Sequence, residues 1–525
     1  MNPNLAARLA ERAERIPGRL AIAEARGGRT QRINFAELAA RVARTGEGLR
    51  RIGIGKGNRV LLFVPMSIDL YVALLGVLHA GGTAVFLDAW ADRHRLDAAV
   101  AAARPSLFIG APRAHLLRLL SGAVRGIPRH WVAGRRFLTL SRFERTPAAA
   151  AAGVAGDDAA LVTFTTGSTG KPKAAARSHD FLWAQHEALA EHLELTAGDV
   201  DMPTLPVFVL NNLALGVPSV IPDFDPRRPA EFDPERVLRQ VEAEGVTTTS
   251  GSPAFYDRLA RHAEERARPL PFRGLWTGGA PVFPPLAERL ASGVAGEAHV
   301  VYGSTEAEPI AGIAAGELVE RTRKGRGHAG LCAGHPVPRI RLRVIRAHDG
   351  PVKLEAAGWE PWELPRAEVG EIVVTGPHVL GEYFDAPEET RRHKIRDGDT
   401  VWHRTGDAGR LDEDGRLWLM GRVGARVRRS GEVWWSTPAE VLALTVPGVR
   451  HAAYLGLPDD QVGQRAVLCV EADAAAADLD TQLRAALHPI PLDEVLRMKR
   501  IPRDPRHASK TDAEALRALL NRPGV

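Results

Sequence analysis

Apolar and polar positions change period several times along this chain. Arg59-Val60-Leu61-Leu62-Phe63-Val64 is a short apolar run of strand length, and Ile68 to Gly82 is apolar at helical spacing. Thr83-Ala84-Val85-Phe86-Leu87 predicts a second strand, and Arg93 to Ala103 a second helix. This alternation continues from about Ile33 to Phe283 and is the rhythm of parallel α/β layers. Leu161-Val162-Thr163-Phe164 predicts the end of a buried strand and Asp180-Phe181-Leu182-Trp183 the start of a helix. Between Pro147 and Gly156 the chain is rich in alanine and glycine, which predicts a surface connection.

From Arg339 to Trp418 the pattern shifts to short strands and turns, including Arg341-Leu342-Arg343-Val344-Ile345 and Glu371-Ile372-Val373-Val374. A small distorted β-barrel suits that stretch. After Gly421, Arg422-Val423-Gly424-Ala425 predicts a flexible point, followed by mixed α/β to the end. The expected fold class is therefore α/β. A large N-terminal domain, residues 1–421, has layered α/β subdomains and a small distorted β-barrel at about 339–420. A smaller, mobile α+β C-terminal domain covers 422–525.

At 525 residues the chain is long enough for two or more domains. Two cysteines, Cys332 and Cys469, cannot build a disulfide framework, which predicts a reducing, cytoplasmic setting. Met1 to Ile16 lacks the apolar stretch of a signal peptide, and no run of apolar residues reaches membrane-spanning length. Net charge is +6, yet the basic residues read as dispersed and no recognition motif accompanies them, so no nucleic-acid partner is expected. Lysine is rare: only eight of the 69 basic residues, with Lys171, Lys173 and Lys510 inside motifs. Gly325-Arg326-Gly327-His328-Ala329-Gly330 matches a dinucleotide-binding pattern, but Pro336 and Pro338 follow instead of a helix.

Thr165-Thr166-Gly167-Ser168-Thr169-Gly170-Lys171-Pro172-Lys173 concentrates backbone N–H groups, hydroxyls and ammonium charge, as a polyphosphate requires. It is not a Walker A loop, because its glycines are closer together and Pro172 follows the lysine. Ser168-Thr169-Gly170-Lys171 also fits Ser-x-x-Lys, without the companion motifs of that hydrolase class. Further on stand Trp276-Thr277-Gly278-Gly279-Ala280-Pro281, Tyr302-Gly303-Ser304-Thr305-Glu306, His403-Arg404-Thr405-Gly406-Asp407 and Gly421-Arg422. In this order the five segments resemble the acyl-adenylating superfamily of acyl-CoA synthetases, nonribosomal adenylation domains and luciferases.

That resemblance implies ATP and Mg²⁺ as cofactors and a fatty-acid-type carboxylic substrate. A carboxylate oxygen displaces pyrophosphate from ATP, and preorganised positive charge and a metal ion stabilise the charge that moves. By resemblance, Thr165 to Lys171 form the phosphate loop, and Thr166, Ser168, Thr169 and Lys171 hold the β- and γ-phosphates. Glu306 holds Mg²⁺. Tyr302 stacks on adenine, and Gly279, Ala280 and Pro281 form the opposite wall. Gly303, Ser304 and Thr305 complete the nucleotide site. Asp407 accepts from the ribose hydroxyls, a task suited to an acceptor-only group, and Arg422 assists. Lys510 is the expected catalytic lysine, with Glu306 and Thr166 beside it in the chemistry.

Two departures bear on the acyl acceptor. In Leu205-Pro206-Val207-Phe208-Val209-Leu210-Asn211-Asn212, Val209 stands where many acyl-CoA ligases have histidine, and Gly424-Ala425 lacks the usual Asp or Lys. Phe208, Val209, Asn212 and Gly251 are the expected substrate-pocket residues. Residues 108–116, 219–226, 348–352 and 504–510 are similar to the β-lactone synthetases of bacterial olefin biosynthesis, and Ser509 replaces the glycine usual before the catalytic lysine. That similarity implies a 2-alkyl-3-hydroxy fatty acid that cyclises after adenylation. It also implies a complex with other olefin-pathway enzymes. The sequence does not identify the base for the 3-hydroxyl; His179 is no more than a guess. The alternatives are a long-chain acyl-CoA or acyl-carrier ligase, and a non-catalytic acyl-nucleotide-binding protein.

Overall fold

A computed structural model describes residues 2–26, 29–87, 93–133, 143, 146–166, 172–225, 228, 231–325, 330–473, 478–504 and 510–521. Its contacts divide the chain into two units. One comprises Met1–Gly251, Thr305–Glu308 and Pro377–Arg391, and the other the remaining residues.

The first unit contains the predicted alternation. Leu107–Gly110, Arg59–Phe63, Thr83–Phe86 and Ala159–Thr166 pair in parallel, with His130–Val132 beyond Leu107–Gly110. Helix Ile68–His79 is buried along its length except at Asp69, with Ser67 accepting from the Leu70 N–H at its start. Each fully buried leucine there contributes roughly 1.5–3 kcal/mol by leaving water. A second group pairs Thr248–Gly251, Asp201–Pro203, Ser219–Ile221 and Leu20–Arg26 in parallel, closed by antiparallel Arg29–Asn34.

One element differs from the sequence expectation. Ala159–Thr166 does not lead through a loop directly into a helix. It pairs antiparallel with a further strand, Pro172–Ser178, before helix His179–Leu193 begins. Lys173-Ala174-Ala175-Ala176 has little intrinsic strand preference, and pairing along the whole of Ala159–Thr166 overrides it.

In the second unit Gly274–Gly278 runs parallel to Glu297–Ser304. The stretch expected to form short strands does so as antiparallel ladders: Arg341–Ile345, Gly370–Thr375, Thr400–Leu411, Leu417–Arg422 and Leu331–Pro336, in that spatial order. Val449–Asp459, Gly463–Ala472 and Glu494–Arg497 form a separate three-stranded sheet. Leu442, Tyr454, Leu468, Leu483 and Leu487 supply part of its apolar core, joining it to helices Ser436–Ala443 and Leu479–Leu487.

Candidate active site

Register brings Thr165 opposite Lys173 and Thr166 opposite Pro172, so the expected phosphate loop is the connection across a β-hairpin. Gly167, Ser168, Thr169, Gly170 and Lys171 themselves lie outside the described residues. Lys173, just past the loop, is 7% exposed and pairs through Nζ with Glu389 Oε2 at 2.8 Å. The same ammonium stands 5.4 Å from the centroid of the Tyr383 ring, in cation–π range.

Tyr383 in turn donates from Oη to Glu306 Oε1 at 2.7 Å. Glu306 is 8% exposed and sits in the two-residue turn after Glu297–Ser304, where its carbonyl also accepts from the Leu380 N–H. Glu389, Lys173, Tyr383 and Glu306 thus form one continuous polar chain in the first unit. Sequence reading placed Glu306 in a site but missed Tyr383 and Glu389. Gly381-Glu382-Tyr383 offers only a turn and an aromatic residue, with nothing to show where its hydroxyl ends.

Among the described residues there is no group of three or more His, Cys, Asp or Glu arranged around one point. A single buried carboxylate fits Mg²⁺ held by one or two carboxylates together with substrate phosphates, rather than by an all-protein cage. Replacing Tyr383 with Phe removes one charge-assisted hydrogen bond from Glu306. The Mg²⁺ concentration giving half-maximal ATP–pyrophosphate exchange should rise about three- to tenfold, with global stability changing by no more than about 3 kcal/mol. An Mg²⁺ titration identical to that of the unsubstituted protein would show that Tyr383 does not position Glu306.

The second unit gathers the residues expected at the nucleoside. Tyr302 Oη donates to Asp407 Oδ2 at 2.8 Å, and Arg422 Nε lies 3.1 Å from Asp407 Oδ1. Burial, with the Asp407 carboxylate beside it, holds the Tyr302 hydroxyl well above the usual phenol range, so it remains a donor. Asp407 and Arg422 face each other in register on Thr400–Leu411 and Leu417–Arg422. Thr405 ties the cluster together: its Oγ1 accepts from the Asp407 N–H at 3.0 Å and its carbonyl from Arg422 at 3.0 Å. A carboxylate offers about four lone-pair directions, so two contacts leave capacity for a pair of hydroxyl donors.

The wall residues follow Gly274–Gly278. Gly279 has φ +83°, a conformation that strains any side-chain-bearing residue, and it and Pro281 are exposed beside half-buried Ala280. Gly303 and Ser304 end Glu297–Ser304, and Thr305 shares the turn with Glu306.

Arg404 lies three residues before Asp407 and is only 5% exposed. It grips Glu371 Oε2 through Nη2 at 2.5 Å and Nε at 3.1 Å, and donates to the carbonyls of Gly350 and His348 at 2.5 and 2.6 Å. This fork fixes the strand that carries Asp407. Beyond Arg422, Asp349 receives Arg426 at 2.7 Å and Arg428 at 2.6 Å, which hold its carboxyl down at about 2.

Lys510 is held by a short clamp. The Asp504 N–H donates to the Lys510 carbonyl at 2.8 Å, and Arg503 bridges to Thr511. Glu471 fastens this clamp from below, accepting from the Ile501 N–H at 2.7 Å and Arg503 Nη2 at 2.9 Å. His451 Nε2 meets Thr511 Oγ1 at 3.2 Å, and burial, with Arg503 nearby, lowers its pKa to about 4, so it is neutral at physiological pH. Sequence reading singled out Lys510 but not Glu471 or His451.

Phe208, Val209 and Asn212 lie on helix Pro206–Leu215, and Gly251 ends Thr248–Gly251. Val209 packs in the apolar core, and Phe208 is 6% exposed. Asn212 Nδ2 donates to buried Asp201 at 2.8 Å and to Ser219 at 3.1 Å, while a Cβ on Gly251 would strike Thr204. Burial lifts the Asp201 carboxyl to about 6 despite those donors. The structure gives no support to the guess at His179. That ring is 1% exposed and its Nδ1 accepts from the Leu5 N–H at 3.3 Å, so it anchors the N-terminal helix instead of serving a substrate.

A profile of the family described as AMP-binding enzyme matches residues 9–384. Olefin beta-lactone synthetase of Stenotrophomonas maltophilia (strain K279a) is 36% identical over 98% of this chain and 97% of its own length. The protein of the same name from Xanthomonas campestris pv. campestris is 35% identical over 98% and 96%. Among solved structures, ATP-bound MatB from Rhodopseudomonas palustris is similar with a TM-score of 0.82 and 26% identity, covering 99% of both chains. The fold is accordingly that of the adenylate-forming enzymes, α/β with a large N-terminal domain of sheets and helices and a smaller C-terminal domain. With that agreement over nearly the whole length, the chain belongs to the AMP-binding enzyme family and is an AMP-forming, ATP-dependent adenylating ligase.

Proposed function

We propose that this enzyme adenylates a 2-alkyl-3-hydroxy fatty acid and then closes it to a β-lactone with release of AMP. The similarity to two olefin beta-lactone synthetases over 98% of the chain supports this reading most directly. In the first step a carboxylate oxygen attacks the α-phosphorus of ATP and pyrophosphate leaves. In the second, the substrate's own 3-hydroxyl oxygen attacks the acyl carbon, its proton is lost to a base, and AMP departs. Holding both reactants in one molecule can supply an effective concentration of ~10⁵–10⁸ M, against which ring strain works.

In this reading Thr165 to Lys171 cradle the phosphates, with Thr166 at the reacting end, and Glu306 holds Mg²⁺, which offsets phosphate charge when bound. Tyr302 and the Gly279–Pro281 wall take the adenine, and Asp407 with Arg422 takes the ribose. Lys510 supplies charge to the carboxylate and α-phosphate. The acyl chain is received near Phe208, Val209, Asn212 and Gly251. Asn212 Oδ1 is a buried acceptor without a hydrogen-bond partner among the described residues, and a substrate hydroxyl would satisfy it.

The domain division follows the same reading: 1–421 binds nucleotide and acid, its barrel spanning about 339–420, and 422–525 brings in Lys510 by rotating about Arg422 to Ala425. Asp349 precedes that pivot and Arg426 and Arg428 follow it, so rotation must alter their contact. A cytoplasmic setting and a complex with other olefin-pathway enzymes complete the proposal.

A second reading, an acyl-CoA ligase, is favoured by the Feruloyl-CoA synthase of Amycolatopsis sp, 32% identical over 86% of this chain. Incubation with ATP, Mg²⁺ and a 2-alkyl-3-hydroxy acid without any thiol separates the two. Lactone and AMP should accumulate with no CoA present. Acyl-adenylate that persists until CoA is added would instead establish the ligase.

A further inference from the structure

The expectation of dispersed basic charge fails in one place. Between residues 98 and 143 the sequence has eight arginines and no lysine, aspartate or glutamate, while the whole chain carries only +6. The rest of the chain is therefore slightly acidic, and its basic character resides in this stretch.

The same stretch presents an apolar surface. Leu116, Leu119 and Leu120 are 62%, 73% and 61% exposed, and the only other large hydrophobic residue exposed among the described residues is Val433. The three leucines lie on consecutive helical turns, Pro112–Leu116 and Leu117–Leu120. The inward side of these turns is already filled, because Ala114 and Leu117 pack with Leu96, Phe108, Val124 and Ile127. The exposed leucines thus serve no packing within this unit, and leaving them in water is unfavourable.

On the same stretch Arg113, Arg125 and Arg129 are exposed and Arg118 is half-buried; none of the four has an ion-pair partner among the described residues. Arg125 donates to the carbonyls of Arg118 and Leu119, which caps the helical turns and keeps its charge at their end. Asp97 on helix Arg93–Ala103, which packs against this stretch through Ser121, is engaged by Ser121 and Arg93.

We propose that this face docks on an anionic lipid surface, with Leu116, Leu119 and Leu120 entering the headgroup region and the arginines pairing with lipid phosphates. Exposed leucines and guanidinium groups on one stretch that has no acidic residue between positions 98 and 143 are the composition of an interfacial segment. A second copy of the chain is disfavoured, since two such faces repel each other. A protein interface is ordinarily richer in aromatic residues.

The test is flotation of the full chain with vesicles of phosphatidylcholine containing phosphatidylglycerol, against phosphatidylcholine alone. The protein should float with the anionic vesicles at low salt and be released at high salt. Each arginine near such a surface strengthens binding about fivefold, so R113Q/R118Q should weaken it more than tenfold. L116S/L119S/L120S should do the same while melting temperature and ATP–pyrophosphate exchange stay unchanged, and V433S should float as the unsubstituted protein does. A chain that ignores anionic vesicles overturns the proposal and leaves an acidic protein partner for this face. Equal flotation with both vesicle types, or undiminished binding by the triple serine variant, also overturns it.

Discussion

Lys510→Ala should lower acid-dependent ATP–pyrophosphate exchange by about 10²–10³-fold while leaving ATP binding nearly intact. The magnitude is that of removing one preorganised charge aimed at a developing anion. Retained ATP affinity is expected because the clamp around Lys510 is made by the Asp504 N–H, Arg503, Thr511 and Glu471, none of which needs the ammonium. Glu471→Gln is the informative companion. It keeps the lysine but weakens the charged contact to Arg503, so exchange should fall less steeply than in Lys510→Ala and recover partly at saturating substrate. Measurement of exchange and of nucleotide binding on the same preparations decides it. Exchange that survives loss of Lys510 would take this lysine out of the adenylation step.

Arg404→Ala is expected to have the largest effect on stability, about 3–5 kcal/mol, because it strands a buried carboxylate. Glu371 is 3% exposed, and burial already pushes its pKa upward against the pull of Arg404. Without the guanidinium the cost falls on ionised Glu371 and on the freed carbonyls of His348 and Gly350. Part of the loss should therefore return at acidic pH, where Glu371 binds a proton more readily in the folded variant than in the unfolded chain. Arg404→Ala/Glu371→Gln should be more stable than Arg404→Ala alone. Denaturant unfolding at pH 7.5 and pH 5.5 checks all three statements. An unchanged midpoint in Arg404→Ala would mean that the fork does not hold the Asp407 strand.

Candidate residues were easiest to single out where they cluster locally. Glycine and hydroxyl residues stand next to one another at Thr165 to Lys171, as a phosphate-binding turn would require. The pairing of Asp407 with Arg422 spans only a hairpin, so both motifs lie close in sequence. By contrast, Tyr383 reaches Glu306 across 77 positions and Arg503 reaches Glu471 across 32. No periodicity announces such contacts, because a tyrosine or glutamate that orients a distant side chain looks like any other. The base for the 3-hydroxyl was not identifiable, and His179 no more than a guess, for a related reason. Its ring chemistry suits a base, and only burial against the N-terminal helix shows that it is spent on structure.

Sequence alone determined the alternation of strands and helices in the first half and the shift to antiparallel ladders near residue 340, since both follow from the period of apolar positions. It also determined the adenylating chemistry, which depends on residue types in a fixed order. Tertiary structure decided that Lys173-Ala174-Ala175-Ala176 is a strand, since cross-strand pairing outweighs weak local preference. It decided too that Lys173, Tyr383 and Glu389 belong with Glu306, and that three leucines between residues 116 and 120 face outward among arginines. Those outcomes depend on which surfaces meet, and that is settled by packing between segments far apart in the chain.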